Sequence, residues 1–192
     1  TSSTKTITQE FNWSFDYRNS NWIFGTFFMD DETNRKTLFD LPLPIFGFPV
    51  PGKLEWDHKA IDTLSKAIFI DATFDLDQKT EISMGLRRTR DEFTSIQLNR
   101  VFLDLGQFIP VSTTCDRSIE QNFESDTSRF VIKRALDERF NAYFSYSEGF
   151  KAGGIATYEC SDPYKPEEVD AFEFGTVSYT HLRAHEPDSY LV

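Results

Sequence analysis

YFSYSEGFKAGG, residues 143–154, is a run of alternation that ends abruptly. Tyr143, Ser145 and Ser147 share one parity, and Phe144 and Tyr146 take the other. A period of two is the mark of a strand whose two faces meet different surroundings. Glu148, Gly149, Phe150, Lys151 and the pair Gly153-Gly154 then break the pattern, and glycine supplies the backbone freedom that a departing chain needs. These twelve residues by themselves fit either a soluble strand with a glycine turn or a membrane-crossing strand with an aromatic at the headgroup level.

The same alternation recurs outward from this stretch. From Ile7 to Tyr17, the residues Ile7, Phe11, Trp13, Phe15 and Tyr17 share a parity, opposed by Glu10, Asn12, Ser14 and Asp16. Trp22 to Met29 is a second, more apolar strand. Lys66 to Leu76 is a third, with Ile68, Ile70, Ala72, Phe74 and Leu76 on one face and Asp71, Thr73 and Asp75 on the other. Glu81 to Phe93 is a fourth, Phe130 to Phe140 a fifth, and the opening stretch the sixth. Short turns are expected at 18–21, at 77–80 and near Asn141, and long connections at 30–64, 94–128 and 151–168. Pro42, Pro44, Pro49 and Pro51 lie in the first long connection, read as a loop over 38–64, and proline removes ladder donors. A central strand is therefore excluded at 39–53. Sorting of connections by length is a property of membrane barrels, whose turns are short on one side and long on the other.

The bulk numbers are compatible with that fold. The chain has 192 residues, 39% of them hydrophobic and 16% aromatic, with a net charge of -11. Such an acid excess disfavours nucleic acid as a partner. Mean hydropathy is -0.44, and no apolar run is long enough for a membrane helix. A transmembrane strand is apolar only at every second residue, so neither number bears against a barrel. The first residues, TSSTKTIT, carry no signal-peptide pattern.

Four motifs in order carry a family resemblance. YFSYSEGFKAGG (143–154) resembles a signature of TonB-dependent outer-membrane receptors. PEEVDAFEFG (166–175) resembles the segment that follows it, DATFDLDQKTEISMGLRRTRDE (71–92) a strand-turn-strand hairpin, and QEFNWSFDY with NWIFGTFFMDDE (within 9–32) an earlier hairpin. The resemblance spans about residues 9–176. It implies an all-β fold: a partial transmembrane antiparallel β-barrel, about six to seven strands of a larger plugged barrel of about 22 strands. It implies long outer loops and short periplasmic turns, residence in the cell outer membrane, and contact with outer-membrane lipid. It further implies active import of a scarce nutrient such as a ferric siderophore. The TonB complex would engage a plug and TonB box that this chain lacks. The resemblance implies no enzyme and no cofactor. Against the family pattern, Arg88, Arg134 and Glu138 stand at positions expected to face lipid, and the turn near Asn141 is short. Residues 177–192, VSYTHLRAHEPDSYLV, lose the alternation, resemble translated adapter sequence and are expected to be a non-native tail. The barrel domain is read as 1–176.

His181 and His185 have helical metal-ligand spacing but lie in that tail. Asp75-Leu76-Asp77 lacks the glycine and glutamate of a calcium loop and reads as a turn. Gly149–Gly154 is not followed by Lys-Ser/Thr, so it is no phosphate loop. No nucleophile elbow occurs, and adjacent carboxylates such as Asp91-Glu92 point to opposite faces of a strand. Cys115 and Cys160 fall in long connections on the same side, where a disulfide and two unrelated thiols both remain open. For ligand contact the candidates are Phe46, Phe48, Trp56 and His58, since aromatic rings on a stiff loop grip amphipathic ligands at small entropic cost. The simpler account has Phe46 and Phe48 packing the loop on the rim and His58 solvated. The alternative function is a soluble β-sandwich that binds carbohydrate.

Overall fold

A computed structural model describes residues 1–138, 140–156, 160 and 162–178. They form one seven-stranded sheet in which every neighbouring pair is antiparallel and the spatial order follows the chain order. The strands are β1 (Ser2–Tyr17), β2 (Ser20–Ile45), β3 (Phe48–Asp77), β4 (Thr80–Asp104), β5 (Phe108–Ala135), β6 (Phe140–Lys151) and β7 (Glu167–Ser178). Such meander connectivity is the topology of an up-and-down barrel wall. Among the described residues β1 pairs only with β2 and β7 only with β6, so the sheet is an open arc. The expected non-native tail lies outside the described residues apart from Val177 and Ser178, which pair with Asn141 and Phe140 in β7.

The register decides which side chains share a face. Trp13 stands opposite Phe24, Phe24 opposite Ile70, and Ile70 opposite Leu86. Phe15, Trp22, Ala72, Met84, Phe130, Tyr146 and Phe172 form the next row on the same face. Phe11, Trp13, Phe15, Tyr17, Ile68, Leu86, Phe172 and Phe174 on this face are exposed. The opposite face carries Asn12, Ser14, Asp16, Asp71, Thr73, Ser83, Arg129, Ser145 and Glu173. Among the described residues no second sheet covers either face, so the sandwich reading does not hold. A sheet that presents its large apolar side chains outward and its polar ones inward is built for hydrocarbon outside and water or protein inside.

The polar face is organised across strands. Arg129 donates to Asp71 at 2.7 Å, with Gly85 lying between them on β4. Lys133 pairs with Glu81 at 2.9 Å, and the Tyr143 hydroxyl donates to Glu173 at 2.6 Å. Arg87 lies over the Phe27 and Phe69 rings at 5.2 and 5.6 Å.

Phe144 and Tyr146 face outward; Tyr143, Ser145 and Ser147 face inward. Pairing of β5 with β6 ends at Arg129 and Ser147. At the next position Glu148 accepts the Ser128 backbone N–H at 2.7 Å and the Tyr146 hydroxyl at 2.8 Å. The glutamate therefore satisfies the β5 backbone where β6 leaves it, and the glycines follow.

Three expectations need correction. The connections at 30–64 and 94–128 are not irregular loops, because β2 with β3 and β4 with β5 run on as paired arms to tight turns at Phe46-Gly47 and Leu105–Gln107. All four prolines are accommodated because each has a neighbour strand on one side only. Pro42 pairs with Pro51 and Pro44 with Pro49, while β1 ends opposite Arg35 and β4 pairing stops at Gly52. In a two-residue hairpin the pair flanking the turn exchanges hydrogen bonds and the next does not. Both proline pairs thus fall where no ladder N–H is needed. The third correction is the turn near Asn141: β5 ends at Ala135, β6 begins at Phe140, and Asn141 lies within β6.

Arg88 does face outward, and it is paired there with Glu124 at 3.3 Å and Asp126 at 3.8 Å. Arg134 lies at the short-turn end and donates to the Thr80 hydroxyl at 3.2 Å. Glu138 sits in the reversal after β5 rather than on a strand.

Candidate ligand-facing site on the extended arms

Above the apolar band a β-bulge re-aims β3. Thr33 faces Ile61, but Arg35 faces His58, so β3 carries one extra residue between these pairs. Ala60 absorbs it with a φ of 49°, and its N–H donates to Asn34 Oδ1 at 3.1 Å. Below the bulge the even residues of β3 face outward; above it they face inward. Trp56 and His58 are turned to the inner face by this one residue.

The inner row so produced is polar and covered. His58 stands opposite Arg35 and Gln97, Gln97 opposite Arg117, and Asn99 opposite Cys115. His58 is 1% exposed, and Ser95, Gln97 and Asn99 are buried with it. Burial, aided by the nearby positive charge of Arg35, holds the His58 pKa below its ordinary value against the opposing pull of Asp57. The cover is the connection after β6. Ile155 packs with Phe93 and Ile119, flanked by Ile61 and Phe123. Gly154 and Tyr164 exchange backbone hydrogen bonds at 3.2 and 2.8 Å. Cys115 and Cys160 form a disulfide with a Cα separation of 5.8 Å, which settles the alternative left open by the sequence.

The outer face of the arms holds a compact charge cluster. Glu55 is buried and receives Lys36 at 2.6 Å and the Arg100 Nε at 3.0 Å, with Arg100 Nη2 also bonded. Asp57, likewise buried, faces Lys59 at 3.4 Å. Burial raises the Glu55 pKa, but the hydrogen bonds from Lys36 and Arg100 and their charges outweigh it, leaving the carboxyl below its usual range. Asp62 is pushed the other way by burial and by the nearby carboxylates of Glu32 and Asp30.

The four sequence candidates separate in space. Phe46 is 97% exposed at the hairpin tip and takes a φ of 50°, beside Gly47 at 83°. Phe48 is exposed next to it. Trp56 meets the Phe39 ring edge-on with centroids 4.4 Å apart on the inner face. His58 is not solvated; it is buried beside Gln97, whose side chain reaches the connection after β6. Glu55, Arg100, Ser95, Gln97 and Asn99 were not singled out from the sequence. The alternation Ser95, Gln97, Asn99 against Ile96 and Leu98 was the signal, with the polar residues buried.

The chain matches the family model described as TonB dependent receptor-like, beta-barrel over residues 1–185. Among solved structures, the ferric yersiniabactin uptake receptor FyuA from Yersinia pestis aligns with a TM-score of 0.71 at 18% identity. That alignment covers 94% of this chain and 27% of the receptor, and at such identity the likeness is one of fold. Comparison with curated proteins gives no match.

Proposed function

Because this chain belongs to the TonB-dependent receptor-like β-barrel family, we propose that it forms part of the wall of an outer-membrane importer for a scarce nutrient, most simply a ferric siderophore or a similar iron chelate. The apolar face meets outer-membrane lipid, and the polar face lines a lumen. The short turns lie on the periplasmic side and the long arms project outside the cell. Energy would come from the TonB complex acting on a plug domain and TonB box carried by the rest of the receptor. Transport of this kind requires no catalytic residue from the wall and no resident cofactor.

The observation that carries ligand contact is Phe46. A bulky residue in left-handed backbone is a conformational outlier, and this one is exposed as well. Neither packing nor turn propensity accounts for a phenylalanine there, whereas capture of an amphipathic ligand by a projecting ring does. Phe48 extends that surface, and Trp56 with Phe39 offers a second aromatic contact on the inner side. His58 is buried and is not part of that surface. The test is binding of radiolabelled ferric siderophores to cells carrying the full-length receptor. Substituting Phe46, Phe48 and Trp56 together by alanine should weaken binding about tenfold or more, while Phe172→Leu on the lipid face should leave it unchanged. Unaltered growth of a receptor-deleted strain under iron limitation, across a panel of ferric chelates, would overturn the reading.

A further inference from the structure

The outward apolar face is not evenly filled. In the row Phe24, Ile70, Leu86 the next residue, on β5, is Ser128; in the row below, Ala72 stands between Trp22 and Met84. Small side chains among large ones leave hollows, and two adjoin here. The first, of about 420 Å³, is lined by Ile68, Ile70 and Leu86 and ends at Arg88 and Asp126. The second, of about 400 Å³, runs past Ala72 and Met84 to Phe74 and Phe130. Both are lined by Ile70, Leu86 and Ser128, so they make one groove. Ile68 to Phe74 covers about 20 Å along β3 at about 3.3 Å per residue. In a strand tilted by about 45° that is about 14 Å of depth, close to one leaflet of a hydrocarbon core about 30 Å thick.

The arm-side end of the groove carries a cationic corner. Lys66 stands directly opposite Arg90 on the outer face, and Arg88 is the neighbouring outward residue of β4. Like charges directly opposite one another destabilise a sheet. Glu124 and Asp126 answer the arginines from the β5 side, whereas Lys66 lies on the β3 side beside Phe28. A guanidinium has five N–H donors, more than the contacts of Arg88 at 3.3 and 3.8 Å engage. An anion between Lys66 and Arg88 relieves the opposition and takes up those donors. We propose that this groove is a lipid site, which seats an acyl chain of the phosphorylated glycolipid of the outer leaflet, lipid A, and holds its phosphate at Lys66, Arg88 and Arg90. The groove is continuous with the lipid-facing band, so hydrocarbon is what reaches it. Its cations stand at the end from which the arms leave the membrane, which places the headgroup in the outer leaflet. The inference rests on the placement of the wall in the outer membrane and holds whatever the receptor imports.

The test uses the full-length receptor extracted from outer membranes in mild detergent, with native mass spectrometry counting the lipids it retains. The wild type should keep a bound lipid A. Ser128→Phe, which fills the groove, and the Lys66→Gln/Arg88→Gln pair, which removes phosphate partners, should each lower that occupancy about tenfold or more. Phe172→Leu, elsewhere on the same face, should leave it unchanged. Delipidated wild type titrated with lipid A, with its dephosphorylated form and with phosphatidylethanolamine should bind the first about tenfold or more tighter than either of the others. Unchanged occupancy in the groove or cation variants, or equal affinity for the three lipids, would overturn the site, because an unselective lipid annulus behaves that way. A second receptor copy bound in place of lipid would overturn it too. Absence of the receptor from outer-membrane fractions would remove the wall placement itself and the lipid site with it, whereas membrane residence without selective retention would remove the site alone. If Ser128→Phe does not assemble, the cation pair and the lipid titration decide.

Discussion

Gly25 shows how single residues set the inner face. It stands opposite Asn12 on β1 and Phe69 on β3, and the Phe69 ring lies over it. A side chain at 25 would run into that ring, which also carries Arg87 on its face. Gly25→Ala is therefore expected to destabilise the barrel by about 1–3 kcal/mol through overpacking. Adding Phe69→Ala should cost less than the sum of the two single changes, because the clash is gone. Urea unfolding of the receptor in detergent, followed by tryptophan fluorescence, measures both. Additive costs would show that the ring and the glycine are not coupled. Gly85 has the same logic in polar form, since Asp71 reaches across it to Arg129.

At the scale of the element, the arms of β2–β5 depend on a bulge and a buried charge. Ala60 decides which face of β3 looks inward, and Asn34 holds it in place. Glu55 ties β2 to β4 through Lys36 and Arg100. Its folded pKa lies below the ordinary value of 4.5, so its contribution is fully present above that pH and is lost as pH falls through the folded value. The arms should therefore lose amide protection selectively in acid, while the membrane-level strands keep theirs. Glu55→Gln should remove this acid dependence and lower arm stability at neutral pH by about 1–3 kcal/mol. Hydrogen exchange of residues 53–59 and 98–103 as a function of pH is the measurement. An unchanged acid profile in the variant would place the sensitive group elsewhere.

For the whole molecule, the governing quantity is depth. The outward apolar run on β1 holds four residues, Phe11, Trp13, Phe15 and Tyr17, but on β4 it covers only Ile82, Met84 and Leu86 before Arg88. Arg88 and Arg90 find Glu124, Asp126 and Glu92 on the same face, so the charges neutralise one another where the band ends. Met84→Arg, within the band, should cost about 2–4 kcal/mol, whereas Leu64→Arg, beside Asp30 and Glu92 at the rim, should cost about 0–1 kcal/mol. Equilibrium unfolding in lipid vesicles distinguishes these outcomes. Equal costs at both depths would mean that this face does not meet hydrocarbon.

By itself the sequence determined the wall. Alternation at Ile7–Tyr17, Lys66–Leu76 and Tyr143–Ser147 is a local consequence of strand geometry, and it identified strands, faces and short turns without reference to any partner. What only the tertiary structure decided lies on the arms. Periodicity says that two residues share a face but not which face it is once a bulge intervenes, so Ala60 reversed the aim of Trp56 and His58 unseen. Prolines at 42, 44, 49 and 51 argued against a strand because proline is costly where both edges are paired, and here each needs only one. The pairing of Cys115 with Cys160, and the packing of Ile155 on Phe93 and Ile119, depend on where a connection folds across its neighbours. Contacts between residues distant along the chain leave no period to read.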